Sequence, residues 1–439
     1  RLLIFSEPFM NYRKQNQCEI KICFPQEIKV YLHKILFPMD VISRPYYADK
    51  VDSWLGKGQI IVLVGQRRVG KSYVLKDFIA RHEDETDANI IFVDKEKKEF
   101  DKIRTYEALN SFIDSRFAPS RHNYILVDEI QDIAEWERTV RSYRTESNVD
   151  IIVTGSNSST LSSDLATLIG GRCEEIRVHS LTYKEFLSFH NLTDCDESLL
   201  LYLNYGGLPG LRKVGITDDE HCWEYIGGVL NTVVLKDVIE RHNIRNVPFM
   251  NNLLHFLADN VGKLNSSTGI SNTMKSLGQN VSAKAVLDYV DYFSEAYILD
   301  RVPRYDIHGK RVFESNDKIY FEDIGLRNFL AGGNRDRDVE KVLENAVYKQ
   351  LISDGYMVNV GQLRAGEIDF VCSKPNRRVY VQVAYLIAND DTREREFGSL
   401  ALIRDNYPKY VISMTPLVRR SDSDGITHLG LREFLMNGL

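Results

Sequence analysis

A membrane span is missing from this chain of 439 residues. No apolar run approaches the roughly 20 residues a helix needs to cross a bilayer, and no signal peptide is recognisable. Cysteine is scarce: Cys18, Cys23, Cys173, Cys195, Cys222 and Cys372 are the six. None forms a C-x-x-C pair, and no Cys/His spacing fits a zinc site. A disulfide scaffold and a zinc module are thereby excluded, which leaves the reduced thiols of a cytoplasmic protein. An excess of one charge is absent too. Lys and Arg number 56 against 62 Asp and Glu, a net charge of −6. That balance argues against a protein that coats nucleic acid, and it leaves room for a local basic surface. The length exceeds what one core supports, so two or three domains are expected.

The first 38 residues mix Lys and Arg with apolar residues and have no clear period. The chain opens on Arg1, and Met39 leads directly into Arg44-Pro45-Tyr46-Tyr47. The expectation is that Met39 is the natural start and that residues 1–38 are upstream translation or a weakly ordered extension. A short hairpin of residues 19–24 and 28–36 is the structural alternative.

What is present begins at residue 65. Gly65-Gln66-Arg67-Arg68-Val69-Gly70-Lys71-Ser72 fits G-x-x-x-x-G-K-[ST], the phosphate-binding loop. An apolar run over 59–64 precedes it and reads as a buried strand. Residues 71–80 read as a helix with Val74, Leu75, Phe78 and Ile79 on one face. Glycines let backbone N–H groups curl around a phosphate, and the helix N-terminus adds its dipole. Residues Gly65 through Tyr73 are therefore the expected ATP site. Lys71 reaches the β- and γ-phosphates, and Ser72 ligates Mg²⁺.

Residues 122–129 form an apolar strand ending in Asp128-Glu129, a Walker B arrangement. Asp128 is the expected Mg²⁺ ligand through its water shell, and Glu129 the general base. Residues 150–154 make a further strand, inserted between the P-loop and Walker B strands, and Gly155-Ser156-Asn157-Ser158 follows. Asn157 is the first choice for a polar side chain at the γ-phosphate or attacking water, and Ser156 the second; both are alternatively caps of a helix starting near Thr160. Gly170-Gly171-Arg172 precedes another strand. Arg172 reads either as an arginine finger, acting in cis or in trans, or as a surface partner of Glu174 or Glu175.

These motifs resemble the prokaryotic AAA-type (AAA+) P-loop ATPases that carry a C-terminal restriction-endonuclease-like domain of unknown function. The matching segments are the loop 65–72, Asp128-Glu129-Ile130-Gln131 with Trp136 behind it, the TGSN-like 154–157, Gly171-Arg172, the L-x-x-x-E-F of 181–186 and the GG-x-P of 206–209. The resemblance implies an α/β fold: a parallel-sheet ATPase core over 39–180, a helical lid over 181–261, a winged-helix-like part over 262–335 and a PD-(D/E)XK-like domain over 336–439. It implies ATP hydrolysis with Mg²⁺ by a switch or remodelling ATPase, and a possible homo-oligomer. DNA or a partner protein is open, and an ATP-regulated nuclease or DNA-binding adaptor is the alternative.

In the winged-helix reading the second helix, over 282–296, carries Asp288, Asp291 and Glu295 against Lys284, which disfavours phosphate contact. The wing is more basic, with Arg301, Arg304, Lys310 and Arg311. Further on, Glu344 lies on a helix, Glu367 and Asp369 on one strand, and Gln382 and Ala384 where a nuclease of this pattern has E-x-K. One anionic ligand and the cation are both replaced, so cleavage is expected to be lost unless a lysine reaches the site from elsewhere; Lys374 and Arg364 are nearby in sequence.

Overall fold

The computed structural model describes residues 42–156, 171–309, 311–333, 338–364, 366–416, 418, 420–423 and 425–439. The expected extension and its alternative hairpin, Asn157, the helix start near Thr160, and Lys310 lie outside them.

The chain enters through helix α1 (Pro45–Asp52), with proline at its first turn, where no N–H is needed. Strand β1 (Ile60–Val64) follows, buried at all five positions. Such a run has no polar alternation because both faces of a parallel sheet are covered. Helix α2 (Lys71–His82) starts at Gly70 and buries Val74, Leu75 and Phe78. Then come β2 (Ala88–Asp94), α3 (Tyr106–Asp114), β3 (His122–Asp128), α4 (Trp136–Tyr143), β4 (Val149–Gly155) and β5 (Cys173–Arg177). The five strands form one parallel sheet in the order β2-β3-β4-β1-β5. Strand β4 is thus inserted between β1 and β3. One apolar cluster covers each face, built around Val62, Val127 and Val153 on one side and Leu63, Leu126 and Phe78 on the other.

Helices α5 (Tyr183–His190), α6 (Asp196–Tyr205) and α7 (Asp219–Val233) follow, the last running into a π-helical turn, Val234–Glu240. Thr182 and Glu185 close a capping box at the start of α5. Helices α8 (Val247–Asp259), α9 (Ser267–Ser276) and α10 (Ala283–Glu295) lead into a hairpin, β6 (Leu299–Asp306) and β7 (Arg311–Phe321). After α11 (Ile324–Leu330) and α12 (Val339–Ser353) come β8 (Met357–Leu363), β9 (Gly366–Lys374), β10 (Arg377–Ala384), α13 (Asp390–Ala401), β11 (Lys409–Ser413), β12 (Arg420–Ser423), β13 (Ile426–Gly430) and α14 (Leu431–Asn437).

The expected division at 335/336 runs through a single sheet. Its eight strands are ordered β12-β13-β11-β10-β9-β8-β6-β7. Residues Arg304–Asp306 of the hairpin pair in parallel with Val360–Gln362 of β8. The hairpin read as a free wing is therefore the edge of the C-terminal sheet. Its Arg301 is held by Asp291 and Asp317, and Arg304 by Gln362. One apolar core extends from Leu181 to Leu435 and includes residues of all three expected C-terminal parts.

A buried ionic hub joins that body to the ATPase sheet. Glu322, after β7, accepts from Arg177 Nη2 at 2.7 Å, Lys349 Nζ at 2.8 Å and Ser180 N at 3.1 Å, with His179 Nδ1 at 3.0 Å. Arg177 also forks onto Asp300 at 2.9 and 3.0 Å. Burial pushes His179 down to about 4 despite the pull of Glu322, so its ring is neutral at neutral pH. Two cations (Arg177, Lys349), two anions (Glu322, Asp300) and a neutral ring satisfy one another here, which buried charges require.

Candidate nucleotide site and a second carboxylate cluster

The carboxyl edge of the parallel sheet is where ligands bind in open α/β folds. Register brings the expected residues to that edge together. Val64 at the end of β1 is level with Gly155 of β4 and Arg177 of β5, and Asp128 ends β3 beside Asp94. The turn after β1 needs its first glycine. Gly65 has φ +138°, and a Cβ there would lie 2.3 Å from Val178 O. Gly70 has φ +105° and Arg68 φ +69°, the latter uncommon for a residue with a side chain.

Lys71 Nζ donates to Gly65 O at 2.9 Å and Gln66 O at 3.0 Å, so its stem folds back over the loop. Burial lowers its pKa, and the charges of Glu129 and Asp128 pull it back. Asp128 Oδ1 accepts from Thr154 Oγ1 at 2.5 Å, and the nearby Ser72 hydroxyl, like that of Thr154, favours its charged form. Burial pushes the Asp128 carboxyl up to about 6. Its second oxygen, Oδ2, is buried with no partner among the described residues; so are both amide atoms of Gln66 and Ser156 Oγ. Glu129 sits at φ +53°, its N–H donating to Thr154 Oγ1 at 2.9 Å and its carboxylate accepting from Gln131. Left-handed backbone at a side-chain-bearing residue is the strain functional sites carry.

The donor set fits a hard cation. Asp128 offers an unpartnered carboxylate oxygen beside the Ser72 hydroxyl, and oxygen ligands of this kind suit Mg²⁺.

Three residues that sequence reasoning missed complete the setting. Thr154 bridges Asp128 and Glu129; from the sequence it is a strand end and the start of the TGSN-like segment, with no role at the site. Arg44 is 5% exposed, and its Nη1 donates to Val69 O and His179 O while Nε and Nη2 grip Glu185. Asp237 holds Arg67 of the loop by both carboxylate oxygens. Only tertiary structure joins partners 170 residues apart. Tyr73 lies on the first turn of α2, 37% exposed, with the Lys76 ammonium 5.1 Å from its ring centre.

Arg172 needs correction. Its carbonyl accepts from Ile60 N at 3.1 Å, at the amino end of β1. The loop is at the other end, roughly 16 Å away at about 3.3 Å per residue over five residues. Arg172 is exposed there, and the register sets it away from its own chain's phosphate loop. The parallel register decides this, because it sets Cys173 level with Ile60 and not with Val64.

The GG-x-P segment packs closely behind the phosphate loop. A Cβ at Gly207 would lie 2.2 Å from Leu181 O, Gly207 N donates to Asp323 Oδ2 at 2.8 Å, and Pro209 lies 3.8 Å from the Cβ position of Gly70. The two glycines let this turn pack against the strand end behind the phosphate loop.

The C-terminal acids also meet, and a lysine is among them. Lys318 of β7, 4% exposed at its side chain, has Nζ 2.7 Å from Glu367, 2.9 Å from Glu344 and 3.4 Å from Asp369. Neither Lys374 nor Arg364 fills this role; Lys374 lies over the Tyr356 ring at 3.9 Å. Lys318 reaches the acids because its hairpin belongs to their sheet. Burial alone would lower its pKa; Asp369, Glu344 and Glu367 outweigh that and raise it. Burial and the Asp369 charge push Glu344 up to about 7 against the pull of Lys318. Gln382 Oε1 accepts from Asp369 N at 3.3 Å, and its Nε2 donates to Glu396 at 3.1 Å.

With this geometry in view, the class is an AAA-type P-loop ATPase on an α/β core: residues 57–187 match the family described as an AAA domain. Residues 196–337 match a domain of unknown function (DUF8612). An uncharacterised protein of Haemophilus influenzae is 33% identical over 404 residues, covering 90% of this chain and 99% of its own length. One from Methanocaldococcus jannaschii is 29% identical over 386 residues, covering 83% and 84%. The chain belongs to the family of the Haemophilus influenzae protein. Among solved structures it is similar to the Walker-type ATPase of Pyrococcus abyssi, with TM-score 0.45 and 15% identity over 66% of this chain and 96% of that one. RuvB of Thermotoga maritima gives TM-score 0.33 and 16% identity over 60% and 90%. Among the described residues no helix is long and apolar enough to cross a membrane.

Proposed function

We propose that the protein hydrolyses ATP with Mg²⁺ and works as a switch or remodelling ATPase of the AAA type. The observation that carries this reading is the gathering of Lys71, Ser72, Asp128 and Glu129 at one strand edge, with Asp128 Oδ2 buried and unpartnered. Lys71 and the loop N–H groups bind the phosphates. Ser72 and Asp128 hold the cation, which when bound neutralises charge on the β- and γ-phosphate oxygens. Glu129, aimed by Thr154 and Gln131, takes the proton of the attacking water. ATP turnover by purified protein, present in the parent and absent without divalent cation, is the test.

The proton on Asp128 makes that cation dependence pH-dependent. A carboxyl raised to about 6 is largely protonated below that pH, and a cation binds only the ionised form. Mg²⁺-dependent ATP binding should therefore weaken by roughly tenfold per pH unit below about 6. In Asp128→Asn it should be weak and flat with pH. Stability moves the other way, because the folded state takes the proton at higher pH than the unfolded chain; this group favours the fold as pH falls through about 6. Parent affinity independent of pH between 7 and 5 would remove Asp128 as the cation ligand.

The placement of Arg172 at the amino edge favours a finger acting in trans, in a homo-oligomer in which one subunit's amino edge meets the next subunit's nucleotide. Mixing Lys71→Ala with Arg172→Ala protein should restore part of the activity that each lacks alone. Unchanged turnover in Arg172→Ala by itself would end this role.

A second reading, a DNA nuclease in the C-terminal sheet, gains in Lys318 the lysine that reaches all three acids from elsewhere; what weighs against it is the neutral Gln382 where the pattern has an acid. The domain then serves binding or assembly, with DNA or a protein as partner. No cleavage of supercoiled or linear DNA is expected with Mg²⁺ or Mn²⁺, with or without ATP. Cleavage that vanishes in Asp369→Ala would reverse the order of the two readings.

A further inference from the structure

An ATPase of this design needs a cation facing the terminal phosphate besides the loop lysine, and Arg172 of the same chain does not reach it. Arg67 lies on the phosphate loop itself, four residues before Lys71. Its guanidinium is forked onto Asp237: Nε to Oδ2 at 2.6 Å and Nη2 to Oδ1 at 3.0 Å. A two-point fork of this kind fixes the plane of the group as well as its position. Asp237 is 2% exposed, whereas Arg67 is 24% exposed, so the acid is the buried anchor and the arginine the accessible end. Nη1 donates to no described residue.

The local backbone is built around that anchor. Asp237 lies in the π-helical turn Val234–Glu240 that continues α7. A π-turn inserts a residue into a helix, costs hydrogen-bond geometry, and is frequent at functional sites. Nothing in apolar packing calls for an aspartate there. The surrounding charge is consistent with a phosphate-facing role. Glu129 and Asp132 act on Arg67 together with Asp237, and Arg67 and Asp237 both act on Lys71.

We propose that Arg67 is a cis-acting cation for the terminal phosphate of ATP, and that Asp237 is the positioning residue that holds its Nε edge and leaves Nη1 to donate to the nucleotide. This rests on the ATPase reading. It also gives a role to the π-helical turn that carries Asp237. Asp237 touches no substrate atom; it acts through Arg67.

ATP and ADP affinities, turnover and thermal midpoint should be measured for the full chain, Arg67→Ala, Arg67→Lys, Asp237→Asn and Asp237→Glu. Loss of a charge-assisted contact to the terminal phosphate should lower kcat by about tenfold to a hundredfold in Arg67→Ala. ADP affinity should stay within about threefold, since ADP lacks that phosphate. Asp237→Asn should show the same split, lowering kcat about tenfold with ADP binding kept, and Asp237→Glu should recover part of it. Arg67→Lys should recover less than Asp237→Glu, because an ammonium cannot be held by a fork. The proposal is overturned if ATP and ADP affinities fall in parallel, or if kcat in Arg67→Ala stays within twofold of the parent, less than even a lost neutral contact costs. Where Arg67→Ala lowers the thermal midpoint, the Asp237→Asn and Asp237→Glu pair carries the decision. A parent that binds ATP without turning it over ends the hydrolysis reading alone. The ATP-to-ADP affinity ratio then decides on Arg67 by itself: a fall in Arg67→Ala upholds the proposal, and an unchanged ratio ends it.

Discussion

Glu129→Gln is expected to bind ATP as the parent does and to turn it over about 10²–10⁴-fold more slowly. The amide is nearly the same shape as the acid and keeps the contact with Gln131 in altered form, but it cannot take a proton from water. The backbone N–H of Glu129 still donates to Thr154, so the left-handed conformation at this position is retained. Lys71→Ala separates the other half of the chemistry. It removes the one ammonium over the loop, and nucleotide binding itself is expected to be lost. Equilibrium binding and steady-state turnover, measured on both variants, distinguish a chemical role from a binding role. Turnover by Glu129→Gln within a few-fold of the parent would remove Glu129 as the base.

The parts of this site that were legible in the sequence are those encoded locally. Gly65, Gly70, Lys71 and Ser72 are close neighbours, and their spacing is dictated by a single turn around a phosphate. Asp128 and Glu129 end an apolar strand whose unbroken run reports burial on both faces. Sequence order also implied that β4 lies between the two motif strands, and it does. What was not legible depends on register and on distance along the chain. Arg172 looked well placed as a strand-edge arginine, but nothing local says that the strand after it runs parallel to β1, which sets it at the edge away from the phosphate. Asp237 and Arg44 touch the loop from 170 and 25 residues away. Neither has a pattern that names its partner. The hairpin of β6 and β7 has the alternation of any wing, and only its pairing with β8 makes it part of another sheet. That same pairing hid Lys318, which a strand-by-strand search for E-x-K cannot find.

Lys318→Ala is expected to be among the most destabilising single substitutions in the chain. It leaves Glu344, Glu367 and Asp369 around an empty centre, with Tyr320 donating to Glu344 at 2.5 Å as the remaining close donor to that acid. Removing one partner from a buried charge cluster costs about 3–5 kcal/mol; the 30% exposure of Glu367 argues for the lower end of that range. The pH dependence has a definite sign. In the parent, Glu344 is already pushed up to about 7. Without the ammonium the acids hold protons more tightly still, so the folded state binds more protons than the unfolded chain. The deficit is then greatest above pH about 7 and shrinks as pH falls, because protonation removes the repulsion. A divalent cation should act in the same direction, since three carboxylates with no lysine among them are hard-ion ligands. Denaturant midpoints of parent and variant at pH 8 and pH 6, in chelator and in millimolar Ca²⁺, test each step. A variant as stable as the parent at pH 8 in chelator would mean that Lys318 is not the counter-ion holding these acids together. A large deficit that neither acid nor Ca²⁺ relieves would place the loss in the packing of the β7 edge instead. Partial rescue by both would identify Lys318 as the built-in cation that holds these three acids together in place of a metal.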